Sequence, residues 1–160
     1  MMTRALLWPT FAMVTLFFAV AIMLLHRRVG LLRRHPPTRA DVAGPEALAA
    51  YFRPAALPAA NLANLFEMPV LYFALVPLLL MTGQAGVVQV ALAWGFVALR
   101  TAHSIAHLRH RLRWRLALFL LSNAVLAVMW VGFAIDMTQA AGNAPSPRDV
   151  SPVDLREIRR

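Results

Sequence analysis

Four long apolar runs recur along the chain, separated by segments that carry most of its charged residues and prolines. The runs cover residues 5–25, 60–82, 87–107 and 115–135. Crossing a hydrocarbon core about 30 Å thick takes roughly 20 residues of helix, a length that each run supplies. The pattern therefore predicts an all-α integral membrane protein, a four-helix bundle with antiparallel, up-down topology.

The segments between the runs are too short to form a second domain. We assign residues 1–136 to one four-span membrane domain, which includes a polar loop at residues 26–59. Within that loop the sequence "PEALAAYF" predicts a short helix, placed at the membrane interface. Residues 137–160 are polar and contain several prolines, which predicts a flexible tail.

Composition supports a membrane protein and removes some kinds of chemistry. The 160 residues are 60% hydrophobic and 14% charged, whereas a soluble domain carries about 25% charged residues. The chain has no cysteine, which excludes disulfides and cysteine nucleophiles. All basic residues are arginine and alanine is abundant, a composition typical of GC-rich bacterial genes, so we expect a bacterial inner-membrane protein.

The net charge of +9 comes from arginines that lie beside the apolar runs. The loop at 26–59 carries six of them, and the segment "LRHRLRW" between the last two runs carries three more, with Arg115 directly after it. Basic loops stay on the cytoplasmic side, so both of these loops are predicted to be cytoplasmic and both termini outside. Arginines in these positions indicate topology and contact with anionic headgroups rather than a nucleic-acid partner.

Polar side chains interrupt the second and third apolar runs. Arg100, His103 and His107 fall within roughly 60° of one another on a helix, so they form one stripe. Asn64 and Glu67 are likewise about 60° apart on the second run. Intramembrane ionisable residues usually mark a functional site, which favours a site here over polar contacts that only hold helices together.

A hairpin folded about the turn "TGQAG" brings these residues to matching depths, because both helices rise about 1.5 Å per residue. The level pairs are Glu67 with Arg100, Asn64 with His103, and Asn61 with His107. An unpaired charge at this depth costs at least about 2.5–3.5 kcal/mol. We therefore predict that Glu67 and Arg100 form an ion pair in the interior of the bundle.

The motif "NLFE", followed by "RTAHSIAH" and an Arg-rich turn into the last run, resembles the family of membrane-associated proteins in eicosanoid and glutathione metabolism (MAPEG). The resemblance covers all four runs. It implies a homotrimer of four-helix bundles that binds glutathione between subunits near the cytoplasmic face. It further implies a glutathione-dependent transferase or peroxidase acting on small lipophilic electrophiles that enter from the lipid.

The resemblance also implies roles for individual residues. A thiolate-stabilising arginine at the start of the fourth helix is Arg113 or Arg115. Residues implied in binding glutathione are Asn64, Glu67, Arg100, His103, His107 and, as a substitute basic group in the first loop, Arg28. The chain departs from the family pattern at Ala60 and Ala63, where members that bind glutathione usually carry basic residues, and at His107, where many have tyrosine.

Two other classes of protein are alternatives to the enzyme. The first is a non-catalytic lipid-binding or scaffold protein on the same bundle, which the alanines at 60 and 63 favour. The second is a metal or haem protein, because His103 and His107 have the i, i+4 spacing that allows two imidazoles on one metal. No carboxylate accompanies these histidines on their helix, so we assign no metal ligands.

Overall fold

The computed structural model describes residues 2–109 and 111–142, and this part of the chain is almost entirely helical. In chain order the helices are α1 (Met2–Ala5), α2 (Leu7–Arg34), α3 (Pro45–Tyr51), α4 (Ala56–Glu67), α5 (Pro69–Met81), α6 (Val87–Leu108) and α7 (Leu112–Gly142), with a 3-10 turn at Arg53–Ala55 before α4. The described residues contain no strand. The prediction of an all-α protein is confirmed.

Three stretches of helix are long and apolar enough to span a membrane: Leu7–Arg34, Arg53–Met81 and Leu112–Ala140. They correspond to the first, second and fourth predicted spans. The third, α6, has 22 residues, but its polar side chains leave it less apolar than the others. The all-helical membrane architecture is thus confirmed, whereas the complete four-span bundle stays a prediction.

The helices extend further than the apolar runs predicted. The first span was placed at residues 5–25, yet α2 continues through the arginines that follow to Arg34. The short helix predicted in the loop is α3. The last span was expected to end at 135, but α7 continues to Gly142 and so includes the first residues assigned to the tail. The rest of the predicted tail, residues 143–160, lies outside the described part of the chain.

The second span consists of two helices that meet at Met68. Pro69 has no backbone N–H to donate to the carbonyl of Leu65, which interrupts the hydrogen-bond ladder there. At the far end of α5 the chain turns at Gly83, whose φ of 71° lies in the left-handed region. Glycine adopts this conformation without the steric cost that a Cβ would impose, so Gly83 allows the tight turn into α6.

α6 packs most extensively against α7, while α2 packs against α4 and α6. At the centre of the core the ring of Tyr72 stacks on Phe96, with 5.1 Å between the ring centroids. The Tyr72 hydroxyl also lies 3.1 Å from Oγ1 of Thr10, which satisfies its polar end. Large apolar side chains on the outer faces remain exposed, as expected for helices that contact lipid.

Candidate functional site

Arg100 on α6 is completely buried, which is unusual for an arginine. Its Nη2 donates a hydrogen bond of 2.6 Å to Oδ1 of Asn123 on α7. The guanidinium carbon lies 5.3 Å from the centroid of the Phe96 ring and 5.4 Å from that of Phe119. Aromatic faces attract a cation held at this range, so two rings and one amide stabilise the charge.

His103 lies one turn further along α6 and is also buried. Its Nδ1 is 3.0 Å from the backbone carbonyl oxygen of Arg115. A carbonyl oxygen only accepts, so Nδ1 donates this hydrogen bond and carries the proton. In the neutral ring Nε2 is then an acceptor, and it has no hydrogen-bond partner within the described part of the chain. The site therefore offers an unused buried acceptor.

A cleft of about 390 Å³ opens beside this histidine, between α4, α6 and the first turns of α7. Three residues proposed from the sequence line it: Asn64, His103 and Arg115. Leu116 and Phe119 contribute apolar wall. Asn64 and His103 were predicted to lie at matching depths, and their common position in this cleft agrees with that prediction. The cleft thus places an amide, an imidazole and a guanidinium next to apolar surface.

The predicted ion pair between Glu67 and Arg100 is not formed. Among the residues that the structure describes, no carboxylate oxygen lies within 4.0 Å of an arginine nitrogen. Glu67 is exposed at the end of α4, although its charge still attracts Arg100 at longer range. Matching depth did not ensure contact, because the side chain of Glu67 points away from the interior in which Arg100 is buried.

The third predicted pair, Asn61 and His107, is buried on α4 and α6. Both side-chain polar atoms of Asn61 lack a hydrogen-bond partner within the described residues. The ring of His107 lies 5.9 Å from that of His103, centroid to centroid, in an edge-on arrangement. Arg100, His103 and His107 thus form a buried polar cluster on α6, and Asn61 is buried on α4, which packs against α6. An amide without hydrogen-bond partners, such as that of Asn61 among the described residues, is costly in a dry interior unless water or a ligand reaches it.

The structure separates the two candidate catalytic arginines. Arg115 is half-buried and lines the cleft, whereas Arg113 is exposed and does not. Arg28 does not line the cleft, and its guanidinium carbon lies 5.0 Å from the centroid of the Phe52 ring. Of the basic residues proposed from the sequence, Arg100 and Arg115 are therefore close to the cleft.

The sequence analysis did not identify Asn123 as the partner of Arg100. The signal was present, because a hairpin of α6 and α7 about Arg111 places Arg100 eleven residues before the turn and Asn123 twelve residues after it. The same counting that paired Asn64 with His103 would have paired these two side chains.

The described residues do not provide a set of ligands for the alternative of a metal protein. Within the described residues, no group of three or more His, Asp or Glu side chains is arranged to hold a metal ion.

These features define an integral membrane protein of apolar helices with a buried, arginine-containing polar cluster. The family model described as the MAPEG family matches residues 6–135, and the chain belongs to this family. The match begins just before α2 and ends within α7, so it includes every residue of the cleft. A search of curated proteins and a search of solved structures returned no match.

Proposed function

We propose that this MAPEG family member is a glutathione-dependent transferase or peroxidase that acts on lipophilic electrophiles. The observation that carries the proposal is the cleft lined by Asn64, His103 and Arg115 beside buried Arg100. A polar tripeptide requires charged and hydrogen-bonding groups, and an apolar co-substrate requires access from lipid. The cleft offers both kinds of surface.

Arg115 is the proposed thiolate-stabilising residue. A thiol with a pKa of about 8.5 is mostly protonated at neutral pH, and a neighbouring guanidinium lowers that pKa and so raises the fraction of thiolate. The thiolate then attacks the electrophile and displaces its leaving group. Nε2 of His103 and the amide of Asn64 are available to bind the peptide portion of glutathione.

We further propose a four-span homotrimer with both Arg-rich loops in the cytoplasm. Glu67 supports the assembly, because it is exposed on a single chain although it lies in the middle of an apolar span. A charge facing lipid at that depth costs about 2.5–3.5 kcal/mol, which contact with a neighbouring subunit avoids. Glu67 then belongs to a glutathione site shared between subunits, where it binds the α-amino group.

The test compares three single substitutions in detergent-purified protein: Arg115→Gln, Arg113→Gln and Arg111→Gln. Each removes one positive charge from the same basic segment, but only the first alters the cleft. Conjugation of glutathione to chlorodinitrobenzene and the ultraviolet absorbance of the bound thiolate are measured. We expect Arg115→Gln to lower kcat/KM at least about tenfold, a loss of about 1.4 kcal/mol in transition-state stabilisation, and to lower the thiolate absorbance.

Arg111→Gln controls for loss of charge from the segment and is expected to stay within about twofold of the unmodified protein, less than about 0.5 kcal/mol. A larger effect of Arg113→Gln than of Arg115→Gln would assign the thiolate to the other arginine. Absence of glutathione binding at millimolar concentration would overturn the proposal.

A lipid-binding protein without catalysis is the second candidate, and a specific observation favours it. An almost wholly apolar cavity of about 250 Å³ lies between α2, α4 and α5, lined by residues that include Phe17, Leu65 and Phe73. The absence of basic residues at Ala60 and Ala63 also weakens the site for the carboxylates of glutathione. Retention of a lipid in this cavity without glutathione binding would support this candidate.

A further inference from the structure

A second charged depression lies at the C-terminal end of α2 and shares no lining residue with the cleft described above. This basic cleft has a volume of about 410 Å³ and is formed by the last turns of α2 and the 3-10 turn that precedes α4. Its polar walls are His26, Arg27, Arg34 and His35, and Gly30 forms part of its floor. Residues 27, 30 and 34 are separated by three and four positions, so they share one face of the helix.

The position of the basic cleft along α2 places it at the surface of the membrane. The helix has 28 residues and is therefore about 42 Å long, which exceeds a hydrocarbon core of about 30 Å. The apolar run ends at Leu25, so the last turns of the helix project to the level of the headgroups. One and two turns deeper on the same face, Met23 and Ala19 are exposed and provide apolar surface for an acyl chain.

Within the part of the chain that the structure describes, the charges of the basic cleft have no acidic partners. Neither Arg27 nor Arg34 has a carboxylate within 4.0 Å among the residues that the structure describes. Asp41 in the adjoining loop is already bonded to Thr38, whose backbone N and Oγ1 lie 2.8 and 2.7 Å from its Oδ2. These hydrogen bonds lower the pKa of Asp41 and hold its carboxylate in the turn. The arginines are therefore available to an external anion.

The loop beyond α2 is held against the helix, which gives the basic cleft a defined shape. The Tyr51 hydroxyl donates a hydrogen bond of 2.5 Å to the carbonyl of His35, and Phe52 lies under the Arg28 guanidinium. These contacts fix the 3-10 turn beside α2, where Pro54 completes the wall. Little ordering is then needed when an anion binds.

We propose that the basic cleft binds the phosphate of an anionic phospholipid headgroup. Arginine binds phosphate oxygens through its fork of N–H donors, and basic pockets beside membrane spans are suited to such headgroups. The exposed apolar surface directly below the cleft favours a lipid over free phosphate. The inference concerns different residues from the proposed glutathione site and does not depend on it.

The test uses native mass spectrometry of the full-length protein in detergent, titrated with phosphatidylglycerol, phosphatidylcholine or inorganic phosphate. Three variants are compared with the unmodified chain. Arg27→Gln/Arg34→Gln removes two charges from the basic cleft, and Gly30→Leu fills it without changing charge, since a Cβ at Gly30 meets nothing within 4 Å. Arg33→Gln/Arg39→Gln removes two charges from residues that do not line it.

We expect one phosphatidylglycerol per chain to bind more tightly than phosphatidylcholine. At about 1 kcal/mol for each arginine near the surface, Arg27→Gln/Arg34→Gln weakens binding about 30-fold. Gly30→Leu is expected to abolish saturable binding, whereas Arg33→Gln/Arg39→Gln changes affinity less than either. Equal losses in both double variants, or unchanged affinity in Gly30→Leu, would overturn the proposal. Tight binding of inorganic phosphate alone would identify a soluble anion instead of a lipid.

Discussion

At the scale of single residues, the environment of Arg100 explains how a guanidinium is accommodated without an acid. A buried ion pair requires the desolvation of two charges, and this cost can exceed the attraction between them. Here only one charge is buried, and it is stabilised by the amide of Asn123 and by the rings of Phe96 and Phe119. Nε and Nη1 of Arg100 retain unused donors, which keeps this residue available to the proposed ligand.

Removing the amide partner should therefore be costly. We expect Asn123→Leu, which keeps the number and branching of the side-chain heavy atoms, to lower the free energy of unfolding by about 1.5–3 kcal/mol, because it leaves a buried charge without its hydrogen bond. Ser122→Ala is the matched control, since among the described residues that hydroxyl bonds only the carbonyl of Phe119 in its own helix, 2.9 Å away. The control should cost about 0.6 kcal/mol or less. Reversible unfolding in mixed micelles measures both, and equal effects would contradict this account.

At the scale of helices, the turn between α5 and α6 sets the depth at which the site residues meet. Gly83→Ala should destabilise the protein by about 1–2 kcal/mol, because an L-residue with a Cβ is strained at a φ of 71°. Gly86→Ala provides a control in the same turn, with φ −75°, ψ 172° and open space where a Cβ would lie. Thermal unfolding in detergent compares the two, and equal losses would show that the backbone of Gly83 is not the cause.

The arrangement of the helices also shows which parts of the site were predictable from the sequence. The constant rise of a helix fixes depth, and Asn64 and His103, which were predicted to be level, line one cleft. The direction in which a side chain points from its helix was harder to predict. For Glu67 this is because the second span is interrupted at Met68, the next residue. The partner of Arg100 is instead Asn123 on α7. The turn between α6 and α7 is rich in arginines, and the sequence analysis interpreted them as a signal for membrane topology.

At the scale of the whole molecule, substitution of Glu67 distinguishes a single chain surrounded by lipid from an assembly of several chains. If this side chain faced lipid, Glu67→Leu would stabilise the protein by about 2.5 kcal/mol, the cost of an intramembrane charge. In the proposed trimer the substitution instead removes a contact at a subunit interface and lowers the proportion of trimer. Native mass spectrometry of the unmodified and substituted proteins in the same detergent measures that proportion. A more stable protein with unchanged stoichiometry would contradict the proposed position of Glu67.

The unbroken α2 helix has a mechanical consequence. A rigid rod longer than the bilayer is thick adjusts to hydrophobic mismatch by tilting, at a fraction of a kcal/mol for each ångström. The arginines of α2 and the loop packed on them keep its C-terminal end at the membrane surface. A change in bilayer thickness therefore changes the tilt of the helix mainly by moving its N-terminal end. Thinner or thicker membranes therefore leave the basic end nearly stationary.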